Sequence, residues 1–582
     1  MLMILIQWGY FAVTAFLTGF AFLAPFQKKG GYAVRHVTSY LMAGLLVLNV
    51  YAQYFSLFSG VGLAANLAVM AFDAVAAVLL RQKIILFFNR KREETGWKRM
   101  LLYGFLVLLF SYGSSRGYMH YDTGLYHAQA IRWIEEYGVV PGLANLHSRF
   151  GYNSAAFALC ALFGGAGLTP YPMHCVPGFF ALLCAVKCTA LIGLPLRKRV
   201  RLSDFLYIGC IFYLVAVFRE LVAPASDYFA MLILFFVLMT WTELLEEGEK
   251  EILPYGLLSL YLVYAATVKL STAVLLVLAL YPGVLLIRQK KWKTIAGYFG
   301  LGIGIAFPYL ARNVILSGWL FYPFTFFDFF PVDWKISKGY ADSDAFEIQV
   351  YAKEIFDVYQ KDMPFSEWFP NWLLAQEGSD RLLVAAGWFS VPVGAVLVAV
   401  NGIRLWRASG TRNLSMAGMG IPGFVLLEVS ALLGFFFWQF GAPLVRYGYF
   451  YVLFLPLVTF GAIYVQAAGK GKGYRIFTVL LVAFLCYRGY NLVHMVIEMA
   501  DQPYYIYQQD YVDSPAETYE VDGVTIYVPT DRGQIGYKKF PSSPVVQDIE
   551  LRGDGIRSGF RKKNGSRRNT EIEKRQKKGW NR

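Results

Sequence analysis

The sequence predicts an all-α polytopic membrane protein, with about 14 transmembrane helices, short helices on its extracytoplasmic face and a small C-terminal outer segment. Three observations carry that prediction. Of the 582 residues, 57% are hydrophobic and only 16% charged, and the mean hydropathy is +0.44. Soluble domains carry about 25% charged residues. Aromatic residues reach 17%, which suits rings gathered at headgroup level and on outer loops. The apolar runs also recur at the length that crosses a bilayer, about 20 residues. An ordinary globular domain, a disordered chain and a coiled coil are excluded.

The runs fall near 2–24, 37–57, 60–80, 100–113, 171–194, 204–219, 226–245, 254–270, 272–287, 293–311, 382–403, 416–437, 445–465 and 474–496. The connector 81–99 carries Arg81, Lys83, Arg90, Lys91, Arg92, Lys98 and Arg99. Further basic connectors lie at 28–35, 197–201, 288–293, 404–412 and 470–475. If the runs alternate, these connectors share one side, and their excess of Lys and Arg makes it cytoplasmic. The first run lacks a basic leader and a small-residue cleavage site, so it reads as a retained span. Residues 153–168 are apolar but short, and read as a helix lying at the outer surface. Both termini then lie outside.

The chain divides into extra N-terminal helices (1–99), a membrane domain (100–499) with outer loops 114–170 and 312–381, an outer segment (500–560) and a basic tail (561–582). The outer segment contains a strand-like patch at Val524–Pro529. The tail holds ten Lys or Arg against two Glu, a net of +8 within a total of +15. The basic surplus is therefore largely terminal and solvated, and implies membrane lipids rather than nucleic acid as its partner. With no apolar periodicity, the tail is expected to be disordered. The six cysteines fall in or beside apolar runs without metal-finger spacing, and read as small packing residues.

Chemistry concentrates in the first outer loop. Four of the six histidines, His120, His127, His147 and His174, lie within it or just beyond. From Thr123 the pattern is helical, with Tyr126, Ala130, Trp133 and Tyr137 on one face and Gly138 ending the run. Asp122 stands at the start of that helix. It reads either as the N-cap or as a catalytic carboxylate at the mouth of a membrane cavity, and the two roles are compatible. Downstream, Asn145, His147 and Arg149 lie between Gly142 and Gly151, a mixture suited to sugar or phosphate recognition or to a tightly bonded loop. Asp227, Lys269, Arg312 and Arg446 stand at outer span ends. Singly each cation reads as snorkelling to headgroups. Together they suggest a phosphate site at membrane depth.

These residues bring a resemblance into view. Asp122, Tyr126, Ala130, Ile131 and Arg132 match a pattern Asp-x-x-x-Tyr-x-x-x-(Ala/Ile)-Arg. Arg312-Asn313, Gly318 and Tyr322-Pro323 follow in order, then Ala442-Pro443, Arg446 and Tyr447. In this the chain resembles the GT-C fold superfamily, polytopic glycosyltransferases that use lipid-linked sugars. Tyr121 to Ser154 is also similar to an uncharacterised bacterial family of such membrane proteins. The resemblance covers roughly residues 100–500.

It implies a bacterial cytoplasmic-membrane enzyme with an outward-facing site, a polyprenyl-phosphate-linked sugar as donor and a glycan or lipid acceptor. Asp122 would be catalytic. Tyr126, His127, Arg132, Asn145, His147, Arg149, Asp227, Lys269, Arg312 and Arg446 would bind substrate. Thr123 follows Asp122 where many relatives have Glu, and a divalent metal stays an open alternative. A transporter or flippase, a polysaccharide polymerase or ligase, and a binding scaffold are the competing readings.

Overall fold

The structure is a computed structural model. It describes residues 1–29, 34, 36–166, 169–170, 172–355, 360, 362–407, 415–530 and 533–563. Among these, ten helices are long and apolar enough to cross a membrane. They are Leu2–Gln27, Leu63–Glu94, Val176–Arg197, Ser226–Glu247, Leu270–Arg288, Trp292–Ser317, Gly378–Arg407, Ile421–Gly441, Val445–Ala468 and Gly471–Glu498. Four further apolar helices, Val37–Ser56, Trp97–Ser115, Leu202–Ala216 and Ile252–Val268, stand among them.

Burial sorts these helices into centre and periphery. Ser226–Glu247 is buried along nearly its whole length. By contrast, Gly471–Glu498 buries only Phe477 and Leu481, and Leu63–Glu94 only Ala65, Val69, Asp73 and Ala76. Many of the remaining large apolar side chains of these helices, Leu67, Phe72, Val78, Leu79, Val479 and Leu480 among them, are exposed. A helix apolar on every side needs hydrocarbon around it, so the chain is a membrane-embedded protein. Small residues let helices approach closely. A Cβ added at Gly44 would collide with the Ala15 backbone, and one at Gly19 with the Tyr40 carbonyl.

Hydrogen bonds gather the connectors into two groups. At one end the Val61 amide donates to the Ile134 carbonyl, Val139 to Ser56, Tyr118 to Arg219 and Gln509 to Ser115. The Met1 ammonium donates to the carbonyls of Tyr504, Ile506 and Tyr507 at that end. At the other end Val200 donates to Gly469, the Leu202 amide to Glu246, and Ala417 to Gln466. The connectors expected at 28–35 and 404–412 lie partly outside the described residues, as does the tail from residue 564.

Two expectations need correction. The helix expected within 153–168 does not lie exposed on a surface: it runs over Ala155–Phe163, and all nine of its side chains are buried. The cause is composition: Ala155, Ala156, Ala158, Cys160 and Ala161 are small enough to slot between the helices Val37–Ser56 and Ala128–Glu136. The outer segment also runs on into the stretch expected as tail, because the strand Phe560–Lys562 pairs with Ile549–Leu551. A second hairpin joins Ala516–Val521 to Val524–Pro529 through Asp522 and Gly523, both at positive φ (45° and 82°). Two such residues are what a tight two-residue hairpin turn requires. These strands rest on the first outer loop, with Val521, Ile526, Leu551 and Phe560 packed against Trp133, Leu143 and Phe150.

Candidate active site

The two large loops and the ends of several helices line a cavity of about 330 Å³. Asp122 reaches it through an unusual local structure. The first-loop helix starts at Tyr121, widens into one π turn over Thr123–His127, and returns to α form over Ala128–Glu136. Single π turns inside α-helices recur at functional sites. The helix stops at Gly138, whose φ of +80° suits glycine. Asp122 makes no side-chain capping hydrogen bond. Its carboxylate instead accepts from Arg446 Nη2 at 3.1 Å, and its amide donates to His120 Nδ1 at 3.1 Å. That bond selects the His120 tautomer with its proton on Nε2. Burial, and then the Arg446 guanidinium, lowers the His120 pKa.

Arg446 is shared. Its Nε lies 3.6 Å from Asp227 Oδ2, and Asp227 also accepts a hydrogen bond from Lys269. Lys269 sits where the chain leaves Ile252–Val268 and is extended (φ −148°) before the next helical segment begins. That break delivers its ammonium to the cavity, 4.5 Å from the centre of the Tyr447 ring, with Arg446 at 5.0 Å from the same ring. Asp227 lies in the first turn of Ser226–Glu247, whose N-cap residue is Ala225. Two carboxylates and two cations therefore form one connected group: Asp122, Arg446, Asp227 and Lys269.

A second centre stands on another wall of the cavity. Asp344, in the outer helix Lys338–Ala352, is buried and accepts hydrogen bonds from Tyr152 Oη, from Tyr322 Oη at 3.2 Å and from Ser148 Oγ at 3.5 Å. Arg149 Nε lies 3.7 Å from Asp344 Oδ1, beyond hydrogen-bond range. Tyr152, Tyr322 and Arg149 line the cavity, and the carboxylate behind them fixes the two phenols.

The site residues expected from the sequence separate cleanly. Asp122, Tyr126, His127, Arg149, Asp227 and Lys269 line the cavity, and Arg446 ties two of them together. His127 is buried, which pushes its pKa down to about 3 and keeps it neutral. The others face elsewhere. Arg132 pairs with Glu136 and donates to the Tyr537 and Lys538 carbonyls. Asn145 donates to the Gly142 and Trp334 carbonyls, clasping the two outer loops. His147 is buried beside Phe150, also with its pKa pushed down to about 3. Arg312 is buried away from the cavity, with Nε donating to Asn153 at 2.8 Å and Nη1 to Ser56 at 2.5 Å. Sequence reasoning missed Asp344 and the facing pair Tyr152 and Tyr322. Among the described residues no group of three or more His, Cys, Asp and Glu is placed to hold a metal ion. Asp122 and Asp227 already face cationic side chains, so the donor set does not fit a divalent metal.

No curated protein and no solved structure matches this chain. A family profile matches residues 1–453, a stretch that contains every residue lining the cavity and stops short of the strand-bearing outer segment. The chain therefore belongs to the family described as "Domain of unknown function (DUF8201)".

Proposed function

We propose that this protein is a membrane glycosyltransferase that moves a sugar from a polyprenyl-phosphate carrier to an acceptor on the outer side of a bacterial cytoplasmic membrane. The observation that carries the reading is the Asp122 carboxylate. It lies on the wall of a half-enclosed aromatic cavity, free of any capping role, with Arg446 and Lys269 beside it. The ten long helices and the four further apolar ones supply enough segments for a polytopic protein. On this reading they cross the membrane 14 times, with the basic connectors cytoplasmic and the cavity outside.

In the reaction, an acceptor hydroxyl oxygen attacks the anomeric carbon and forms the new glycosidic bond. The anomeric carbon–oxygen bond to phosphate breaks, and its electron pair leaves with the phosphate. The hydroxyl proton passes to Asp122 as general base. A phosphate leaving group needs no proton, so one carboxylate suffices where glycosidases use two. Attack opposite the leaving group inverts configuration. Lys269 and Arg446, at span ends, would meet the charge that develops on the phosphate. The lipid chain would run between helices below them.

The test uses full-length protein in lipid nanodiscs with polyprenyl-phosphate sugars and bacterial glycan acceptors. Sugar transfer that Asp122→Asn abolishes supports the proposal. A wild-type protein that moves the intact lipid-linked sugar across the bilayer without cleaving it would replace the enzyme with a flippase.

A further inference from the structure

The cations at the cavity are not equivalent. Arg446 hydrogen-bonds Asp122, and Lys269 hydrogen-bonds Asp227. Arg149 also lines the cavity, yet its guanidinium makes no hydrogen bond among the described residues. Its closest charged partner, Asp344, stays 3.7 Å from Nε and is taken up by Tyr152, Tyr322 and Ser148. The Asp344 charge and the Tyr152 ring, 5.6 Å away, position the guanidinium, while its donors make no hydrogen bond to the described residues. A guanidinium fork fits a carboxylate or phosphate in two parallel hydrogen bonds.

Position distinguishes this centre further. Lys269 and Arg446 stand at the ends of membrane-crossing helices. Arg149 stands in a short turn of the first outer loop, and Asp344 on a helix of the second. Neither element has the length and hydropathy to cross a membrane. On the proposed orientation, the pair at the helix ends is the one placed for the phosphate of a membrane lipid. The rings of Tyr152 and Tyr322 meet edge to face at 5.3 Å, both line the cavity, and the Arg149 guanidinium lies 5.6 Å from the centre of the Tyr152 ring.

We infer that Arg149, backed by Asp344, Tyr152 and Tyr322, is the acceptor subsite, and that the acceptor is an anionic saccharide carrying a carboxylate or phosphate. The inference rests on the glycosyltransferase reading only for the word acceptor. The anion site itself stands on the geometry.

A binding experiment without any donor tests it. Full-length protein in nanodiscs is titrated with glucuronate, glucose 6-phosphate and glucose, and separately with polyprenyl phosphate, with saturation-transfer NMR as the readout. At least one of the two anionic sugars should bind roughly 10- to 100-fold more tightly than glucose. Arg149→Ala should abolish that preference, Arg149→Lys should keep part of it, and polyprenyl phosphate should bind all three proteins alike. The ratio between glucuronate and glucose 6-phosphate tells carboxylate from phosphate. Equal binding of the three sugars by the wild type overturns the inference, whatever the variants do. So does a loss of polyprenyl phosphate binding in Arg149→Ala, which would assign Arg149 to the donor. Anion selectivity in a protein that transfers no sugar would retain the site and remove the glycosyltransferase.

Discussion

On the proposed mechanism Asp122 is the general base, and an amide in its place keeps nearly the same volume. As Asp122 makes no capping bond, Asp122→Asn should leave the first-loop helix intact and lower transfer by about 10²–10⁴-fold, the value of a general base. Initial rates at matched protein levels measure it, with circular dichroism and Tm as the fold control. Arg312→Ala should behave in the opposite way. It strips hydrogen bonds from Asn153 and Ser56, so stability should fall by roughly 1–3 kcal/mol while donor affinity persists. The two buried histidines give a pH prediction. Their folded pKa values, about 3, lie below the ordinary 6.5. The unfolded chain therefore takes up protons first, and stability is lost as pH falls from about 6.5 toward about 3. His147→Gln should flatten that slope in Tm measured against pH.

The sequence named Asp122 because a charged residue opened a periodic aromatic run. It could not name Asp344, which is one of eleven acidic residues in Asn313–Asp380. What sets Asp344 apart is contact with Tyr152 and Ser148, nearly 200 residues away, and spacing in the sequence does not encode that.

At the scale of elements, the first-loop helix is held from both sides. Beneath it lies the all-buried helix Ala155–Phe163. Above it, Arg132 and Gln129 donate to carbonyls at 537–539, the Gly536 amide donates to Gly124, and the Phe560 amide donates to Pro141. Phe560 is fully buried, 6.1 Å from the Trp133 ring. Phe560→Ala should cost about 3–5 kcal/mol, and limited proteolysis should then cut the outer segment that the wild type protects. The strand Val524–Pro529 was legible from its β-branched composition. Its partner Ala516–Val521 was not, because Glu517, Thr518, Glu520 and alanine hide the alternation. Residues 153–168 were misplaced for a related reason, since hydropathy reports an apolar surface and not whether lipid or protein covers it.

For the whole molecule, the membrane-embedded helical character was the most legible property, since runs of about 20 apolar residues are written directly in the sequence. The lengths of the helices were less so. The segment expected at 272–287 is a 3₁₀ stretch, Leu270–Ala279, followed by a short α-helix, and periodicity does not separate those two forms over so few residues. Orientation can be tested with a membrane-impermeant thiol reagent. Glu347→Cys should be labelled from outside the cell and Glu93→Cys should not, both positions being exposed. Labelling of Glu93→Cys alone would reverse the orientation.

The bonds between Arg132 and residues 537–538 join positions more than 400 apart in the chain. Polypeptides emerge N-terminus first at about 5–20 residues per second, so the first-loop helix waits roughly 20–80 s for the partner that covers it. During that interval Trp133 has no Phe560 to pack against. The cavity wall that carries Asp122 is therefore made early but braced late. A ribosome that stopped before the last strand would release a protein with every long apolar helix in place and its first-loop helix uncovered.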